Sequence, residues 1–249
     1  INILDTPGTA DFVGEAICSF RTAEAALMLV DARDGAQIET IKLWRRLDTR
    51  NKPRAVFINK MDKERANSRD VLDNLTEEFH SNFAPVTIPI GYAEDFKGVI
   101  NLIENQAYKF NANGKEEIIP IPDDMAETVE QYREELIEKA AEGADDLIEK
   151  YFEEGTLNDD DIRRGLREGL ARNSVVPVFV GASEKGAGVT SLLNFIRNNF
   201  PIPTGTFEYI LKEDGTEERN YPIGGKDTPE AYVFKTTIDQ FSGKLSYIK

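Results

Sequence analysis

Residues Ala55–Asp62, with the sequence A-V-F-I-N-K-M-D, place a run of apolar side chains directly before a polar loop. A short apolar run bounded by polar, turn-forming residues is typical of a strand buried on both faces, as in a parallel sheet. The same arrangement occurs at Ile1–Gly8, I-N-I-L-D-T-P-G, so Ile1–Leu4 is also predicted to be a strand. We expect both polar loops at the carboxyl edge of one sheet, where loops converge on a ligand.

The two loops carry residue types that suit opposite ends of one nucleotide. Asp5 can hold Mg²⁺, because hard cations prefer carboxylate and water oxygens, and Gly8 lets its backbone N–H approach a phosphate oxygen without a Cβ in the way. Asp62 can accept hydrogen bonds from the N1–H and the 2-amino group of guanine. Adenine offers neither donor and would leave the carboxylate unpaired. Asn59 and Lys60 would hold the loop and cover the base.

Each loop taken alone also has a plainer interpretation. Asp5–Gly8 fits an ordinary Pro-Gly turn, and Asn59–Asp62 fits a polar loop that ends a strand. Their joint occurrence, in this order and at predicted strand ends, favours the phosphate-side and guanine-reading loops of a GTPase.

The composition of the 249-residue chain predicts a folded globular protein. Its apolar fraction of 40% supports a core, and its length allows one large domain or two small ones. No apolar run long enough to span a membrane and no signal peptide are present, so a cytoplasmic location is predicted. Cys18 lies within an apolar helical pattern, and we expect it to be a free thiol in the core.

The net charge of −15 is concentrated in one segment. Residues 123–170 contain seventeen Asp or Glu and six Lys or Arg, which leaves this segment at −11 and the rest of the chain at −4. Such a balance argues against binding to a nucleic-acid backbone by the segment itself. The acidic side chains either guide a basic partner or form a solvated outer face, and both interpretations remain open.

Strands and helices alternate up to residue 85 and again from 176 to 203, which predicts a parallel sheet with helices on both faces. Residues 86–175 follow a different pattern, with antiparallel strands, a hairpin turn at Asn113-Gly114 and two amphipathic helices. The predicted strands are 1–4, 25–30, 53–58, 86–90, 99–110, 117–121, 177–180, 207–212, 217–221, 231–238 and 244–248. The predicted helices are 12–20, 40–47, 71–79, 129–151, 159–170 and 189–200.

Over essentially its whole length the sequence resembles translational GTPases of the elongation factor G type. Besides the two loops, the resemblance rests on ordered landmarks: V-D-A at Val30–Ala32, I-P-I-G at Ile88–Gly91, D-F-K-G-V-I at Asp95–Ile100, E-E-I-I-P-I-P at Glu116–Pro122, P-V-F-V-G at Pro177–Gly181 and A-Y-V-F-K at Ala231–Lys235. It implies a multidomain factor of the cytoplasm that uses GTP or GDP and Mg²⁺. The partners it implies for the intact protein are the ribosomal RNA and the ribosomal stalk proteins.

The resemblance also implies a fold. We expect an α/β protein with a P-loop-GTPase-type parallel sheet, whose N-terminal part is missing, formed by residues 1–85 and 176–203. Residues 86–175 would be an inserted α+β subdomain, and residues 204–249 a linker hairpin and the start of a β-barrel domain. Because predicted strands begin at Ile1 and continue to Lys249, we expect the sequence to be a piece of a longer protein.

By position, the resemblance assigns Asp5, Thr6 and Pro7 to the magnesium-side loop, with Asp5 as metal ligand, and Gly8 to sensing the γ-phosphate. It assigns Asn59, Lys60 and Asp62 to the base. Gly181, Ala182 and Ser183 belong to a second base loop. There Ala182-Ser183 replaces the family's usual Ser-Ala, and a backbone N–H would meet the guanine oxygen.

The chain departs from the family pattern in two places. No G-x-x-x-x-G-K-[ST] motif is present, so the phosphate cradle and its Lys are missing. We expect that motif upstream of Ile1, and expect the isolated segment to bind GTP weakly or not at all. Thr9 stands where the family has the His that positions the attacking water, which is closer to a divergent factor-G-like branch. A hydroxyl is too weak a base to replace an imidazole, so hydrolysis is expected to be slow or differently organised. The one histidine, His80, is predicted to be a surface or partly packed residue.

Several functions are compatible with these features. The first is a ribosome-stimulated GTPase, and the alternative is a GTP-dependent ribosome-binding module with slow or vestigial hydrolysis. A ribosomal protection factor of the tetracycline-resistance kind is disfavoured by Thr9, because such relatives generally retain the His. A metal-dependent phosphohydrolase using Asp159-Asp160-Asp161 is disfavoured too, because an acidic run suits the start of a solvated helix.

Overall fold

The computed structural model describes residues 1–111, 115–203, 207–211, 214, 216–222, 231–241 and 243–249. The strands, in chain order, are β1 (Ala26–Asp31), β2 (Arg54–Asn59), β3 (Phe83–Pro85), β4 (Thr87–Ile90), β5 (Gly98–Asn101), β6 (Gln106–Phe110), β7 (Glu116–Ile119), β8 (Val176–Val180), β9 (Phe207–Leu211), β10 (Glu217–Pro222), β11 (Val233–Asp239) and β12 (Gly243–Ile248). The α-helices are α1 (Val13–Thr22), α2 (Ile38–Thr49), α3 (Ser68–Phe79), α4 (Ala126–Ala141), α5 (Asp145–Glu154), α6 (Asp159–Arg172) and α7 (Val189–Asn199).

A four-stranded parallel sheet in the order β1-β2-β8-β3 forms the centre of the fold. Its two middle strands, β2 and β8, are buried along almost their whole length. The predicted α/β fold with a parallel sheet is confirmed. The three-residue strand β3 was not predicted, because a segment that short carries no usable periodicity.

Alternate residues of β2 face two different layers, as the two-residue period of a strand requires. Val56 and Ile58 pack in the same apolar cluster as Trp44 of α2 and Leu75 of α3. Phe57 points into the other cluster, which contains residues of α7 and of the inserted segment. The sheet is therefore covered on both faces, which explains why its central strands are apolar throughout.

The inserted segment consists of an antiparallel sheet in the order β4-β5-β6-β7 and the helices α4, α5 and α6. It is joined directly to the parallel sheet, since the Val86 N–H donates to the Val178 carbonyl at 2.8 Å and the Val180 N–H donates to Thr87 Oγ1 at 2.9 Å. Most of its buried apolar side chains share one cluster with Phe57 and Phe179, whereas Phe96 and Val99 pack in the cluster of Trp44. The domain limits at residues 86 and 175 remain a prediction.

Two predicted elements of the inserted segment are each divided in the structure. The helix predicted over 129–151 is α4 and α5, separated at Gly143, where a Cβ would lie 2.0 Å from the Gly165 carbonyl oxygen of α6. The strand predicted over 99–110 is β5 and β6, separated by a turn in which Asn101 Oδ1 accepts from the N–H groups of Ile103 and Glu104. Both breaks depend on local backbone contacts that apolar periodicity does not reveal.

Two expectations for the first twenty residues are wrong. Ile1–Leu4 is not a strand, and Ile1 and Ile3 are 81% and 77% exposed. A four-residue run needs a neighbouring strand for its backbone groups, and among the described residues it has none. Cys18 is exposed rather than buried, because α1 buries only the narrow stripe of Ala16 and Thr22.

The linker hairpin predicted in residues 204–249 is confirmed, since β9 pairs with β10 antiparallel, and the strands predicted over 231–238 and 244–248 are β11 and β12, which also pair antiparallel. The β11–β12 hairpin lies against α1, where Lys235 Nζ is 2.6 Å from Glu15 Oε2. The predicted turn at Asn113-Gly114 lies outside the described residues, although the flanking strands β6 and β7 do pair antiparallel. That residues 204–249 begin a β-barrel domain remains a prediction.

No helix in the part of the chain that the structure describes has the length and apolarity needed to cross a membrane.

Candidate nucleotide-binding site

The loops that follow β2 and β8 lie side by side at the carboxyl edge of the parallel sheet. We name Asn59–Asp62 the first base loop and Gly181–Gly188 the second base loop. Asn59 joins them, because its Oδ1 accepts from the backbone N–H of Ser183 at 2.9 Å and its Nδ2 donates to Ser183 Oγ at 2.9 Å. The same Oδ1 accepts from the Lys60 N–H at 2.8 Å. One amide side chain thus fixes two loops that are far apart in sequence.

Backbone contacts complete this junction. The Met61 N–H donates to the Gly181 carbonyl at 3.1 Å, and the Gly181 N–H donates to the Ile58 carbonyl at 3.0 Å. Gly181 admits no larger residue, because a Cβ would lie 2.3 Å from the Ala187 oxygen and 2.7 Å from Phe57 Cζ. The structure therefore brings together Asn59, Lys60, Asp62, Gly181, Ala182 and Ser183, all named from the sequence.

Asp62 carries the carboxylate that sequence reasoning assigned to the base. Its side chain is only 4% exposed, and its Oδ2 lies 3.2 Å from Lys185 Nζ and 3.6 Å from Lys63 Nζ. The negative charge of Asp62 raises the pKa of Lys63, with help from Glu184. A carboxylate in this position can accept hydrogen bonds from both N–H donors of a guanine.

Lys60 is fixed at both ends. Its backbone has φ of +67°, and its Nζ lies 2.8 Å from Oδ2 of Asp31, the last residue of β1. Arg33 binds the same carboxylate through two side-chain hydrogen bonds, from Nε at 2.9 Å and from Nη2 at 2.8 Å. The Arg33 guanidinium, together with Lys60, holds the pKa of Asp31 well below its usual range.

Sequence reasoning missed the residues that support these loops: Asp31, Arg33, Lys63, Glu184 and Lys185. Asp31 carried a usable signal, because it is a carboxylate at the carboxyl end of a buried strand, as Asp5 was expected to be. Nothing in the sequence indicated that Lys185 approaches Asp62, since that contact depends on how the two base loops are packed.

The phosphate-side loop, Asp5–Gly8, is exposed apart from a half-buried Thr6. Asp5 borders a cleft of about 210 Å³ between the first residues, α1 and the β11–β12 hairpin. Thr9 is exposed and its side chain makes no capping hydrogen bond to the 3₁₀ turn that follows it. Within the described residues, no hydrogen bond or ion pair connects residues 1–9 to either base loop. The structure therefore does not unite the two halves of the predicted site.

No group of three or more His, Cys, Asp or Glu side chains in the described residues could hold a metal ion. Asp5 alone offers one carboxylate, which suits Mg²⁺ only where phosphate oxygens and water supply the remaining ligands. In the Asp159–Asp161 run, Asp159 pairs with Arg133 at 2.5 Å and Asp161 with Lys150 at 2.7 Å, at the start of α6. His80 is an exposed residue that ends α3.

A parallel sheet with paired base loops at its carboxyl edge defines the class of nucleotide-binding α/β domains. Residues 1–202 match the family described as the elongation factor Tu GTP binding domain. Because this match covers most of the chain, the chain belongs to that family.

Two relatives extend this result along the whole chain. The chain is 35% identical over 254 aligned residues to an elongation factor G-like protein of Thermotoga maritima, covering 100% of this chain and 36% of the relative. It also matches a crystal structure of a Thermus thermophilus protein, with a TM-score of 0.81, 27% identity, and coverage of 98% of this chain and 34% of that one. The resemblance to factors of the elongation factor G type is thereby confirmed. The chain spans about a third of the length of both relatives.

Proposed function

We propose that the chain is the guanine-nucleotide-binding part of a translation factor related to elongation factor G. The intact protein would bind GTP or GDP with Mg²⁺ and hydrolyse GTP in contact with the ribosome. The observation that carries the proposal is the junction of the two base loops through Asn59 and Ser183, with the buried carboxylate of Asp62 beside it.

The base end has the chemistry that guanine requires. Asp62 would accept from the N1–H and the 2-amino group, and Lys60 would cover the face of the ring. Ser183 would stand opposite the guanine oxygen, with Gly181 and Ala182 shaping the loop. Adenine offers neither of these donors to the nearly buried carboxylate, so its binding would be penalised strongly.

At the phosphate end, Asp5 would act on the magnesium side with Thr6 and Pro7 in the same loop, and Gly8 would sense the γ-phosphate. The nucleotide would supply phosphate oxygens that complete the coordination of Mg²⁺. We expect the 249-residue chain alone to bind GTP weakly or not at all, because it has no G-x-x-x-x-G-K-[ST] motif. Micromolar binding of a fluorescent GTP analogue to this chain would contradict that expectation.

Thr9 bears on whether the intact protein hydrolyses GTP efficiently or only binds it. A threonine hydroxyl is a poor general base, so hydrolysis would be slow or would depend on another group. The alternative function is a ribosome-binding module in which GTP holds a conformation. GTP turnover by the intact protein, measured with and without ribosomes, separates the two: ribosome stimulation supports the enzyme, and its absence supports the module. Stimulated turnover that is unchanged in Thr9→Ala would remove Thr9 from the catalytic residues.

The acidic inserted segment is the proposed contact for a basic partner of the ribosome. Glu134 and Glu138 of α4 and its C-cap residue Glu142 are exposed at four-residue spacing, so they form one row on the helix surface. Replacing all three by Lys should abolish stimulation of GTP turnover by stalk proteins, because the sign of the row is reversed. Unaltered stimulation would leave this row as a solvated face only.

A further inference from the structure

The second base loop is attached to the inserted antiparallel sheet by one side chain. Glu116, the first residue of β7, accepts a hydrogen bond on Oε1 from the backbone N–H of Gly188 at 2.8 Å. Gly188 is the last residue of the second base loop and the N-cap of α7. A carboxylate of the inserted segment therefore contacts the point where the loop becomes a helix.

This contact gives the N-cap residue of α7 a hydrogen-bond partner for its backbone N–H, which the first turn of α7 does not supply. Gly188 has no side chain to accept from the first N–H groups, and the first turn of α7 contains no acidic residue. The Glu116 carboxylate supplies negative charge at the positive end of the helix dipole. Gly188 itself has φ of +78°, and a Cβ there would lie 2.3 Å from the Val180 oxygen.

The remainder of the second base loop connects Gly188 to the residues that are proposed to bind the base. Ala182 and Ala187 exchange two backbone hydrogen bonds, at 3.0 Å and 3.2 Å, which close the loop into a compact unit. One end of that unit carries Ser183, bonded to Asn59, and the other end is Gly188, bonded to Glu116. A shift at Gly188 therefore displaces Ser183.

The first base loop is attached to the inserted segment as well. The Ala93 N–H donates to the Met61 carbonyl at 3.0 Å, and Ala93 has a left-handed φ of +53°. A non-glycine residue adopts this conformation only where the surrounding structure requires it. Both base loops are thus hydrogen-bonded to the inserted segment.

The second carboxylate oxygen of Glu116, Oε2, is buried and has no hydrogen-bond partner among the described residues. Burying a polar oxygen without a partner is unfavourable. The bond from Gly188 is the described contact that offsets this cost. A residue that served only to complete the edge strand β7 would not require this unfavourable burial of a carboxylate oxygen.

We propose that Glu116 is a positioning residue for guanine recognition, which acts by holding the second base loop so that Ser183 faces the base. The inserted sheet then sets guanine affinity, and movement of β7 changes it. This inference rests on the proposed guanine-binding function.

The test compares Glu116→Ala with Glu116→Gln in the 249-residue chain. The Gln carbonyl oxygen can still accept from the Gly188 N–H, whereas Ala cannot. Glu117→Ala is the matched control, because the neighbouring Glu117 is exposed and its carboxylate bonds to Asn111 instead of the loop.

The first measurement needs no ligand. Amide NMR signals of Gly188 and Ser183 should shift, and their hydrogen-exchange protection should fall, in Glu116→Ala but not in Glu116→Gln or Glu117→Ala. Unchanged Ser183 and Gly188 signals in Glu116→Ala would overturn the inference, whatever the nucleotide result. Circular dichroism should report the same fold for all variants.

The second measurement is a titration of the same variants of the intact protein with GMP, with AMP as reference. We expect Glu116→Ala to weaken GMP binding about tenfold, as for loss of one hydrogen bond to a charged group, with rescue by Gln. Equal GMP affinity in wild type and Glu116→Ala would also overturn the inference. Failure of wild type to prefer GMP over AMP would count against the proposed function instead.

Discussion

The first base loop and the phosphate-side loop are both short polar segments after an apolar run, yet the structure treats them in opposite ways. Strand β2, before the first base loop, is hydrogen-bonded to β1 on one side and β8 on the other. The apolar run before the phosphate-side loop, Ile1–Leu4, pairs with no strand among the described residues and is exposed. Ile58 is 1% exposed, whereas Ile3 is 77% exposed.

The position of a loop is therefore fixed by the pairing of the strand that precedes it. Asn59 can fix two loops because β2 and β8 are neighbours in the sheet, so their ends are adjacent. Asp5 has a suitable side chain but no fixed strand to present it. Residue types that suit a ligand form an ordered site only where paired neighbouring strands hold them in place.

The largest expected effect is on stability. Ile58→Ala should lower the free energy of unfolding by about 3–4 kcal/mol, because it leaves a cavity between the sheet and its helices. Ile3→Ala should change it by less than about 0.5 kcal/mol, because an exposed side chain loses few contacts. Urea unfolding of both variants measures the difference. Equal losses would mean that the N-terminal run is packed after all.

The next effect concerns the base. In Asp62→Asn of the intact protein the side chain keeps one acceptor, for the N1–H, but brings an NH₂ donor against the 2-amino group of guanine, so GMP binding should fall about a hundredfold and XMP, which has a 2-oxo group there, should be preferred. Titration of the variant with both nucleotides measures the reversal. Asp70→Asn, on the exposed first turn of α3, is the control and should keep the wild-type preference. Retained GMP preference in Asp62→Asn would contradict the role of Asp62.

A smaller effect is expected at the junction of the loops. Asn59→Ala removes three hydrogen bonds and should lower the unfolding free energy by about 2 kcal/mol. Asn59→Asp keeps the acceptor for the N–H groups of Lys60 and Ser183, so it should lose less than half as much. Chemical denaturation compares the two. If Ala and Asp are equally destabilising, the Asn59 acceptor does not join the loops.

The smallest effect involves Asp31, whose pKa is lowered by Arg33 and Lys60. A lowered folded pKa gives stability that is present above the unfolded value of about 3.9 and lost as the pH falls through the folded value. Asp31→Asn should therefore be less stable than wild type at pH 7 by about 1 kcal/mol, and the gap should close only in strong acid.

Unfolding curves between pH 7 and strong acid check this prediction. Asp34→Asn is the matched control, since Asp34 is exposed and next to Arg33 in sequence. If the stability difference between Asp31→Asn and wild type disappears near neutral pH, the low pKa of Asp31 is contradicted.

Much of the central fold could be predicted from the sequence because its strands and helices are periodic and well buried. Strands β1, β2 and β8 have uninterrupted apolar runs, and α2, α3, α6 and α7 have apolar stripes that face the core. The divisions at Gly143 and at Asn101 were missed, because they depend on a close backbone approach and on a side-chain turn. The strand at Ile1–Leu4 was wrong because apolar character alone does not supply a partner strand.

For the candidate site, residue types at strand ends singled out the two loops that the structure brings together, whereas their supporting contacts could not be predicted; that these loops bind a base remains a prediction. The pairing of Asp62 with Lys185, and of Glu116 with Gly188, joins residues from different elements. Such contacts are set by how elements pack, which local sequence does not encode. The catalytic part of Thr9 and the metal part of Asp5 remain predictions.

The most direct test of the central claim is an NMR titration of the 249-residue chain with GMP and with AMP. At millimolar concentration, GMP should shift the amide signals of Asn59–Asp62 and Gly181–Ser183. The signals of Asp5–Gly8 should stay unchanged, and AMP should have little effect. Equal responses to GMP and AMP, or shifts confined to other regions, would contradict the claim that the two joined loops read guanine.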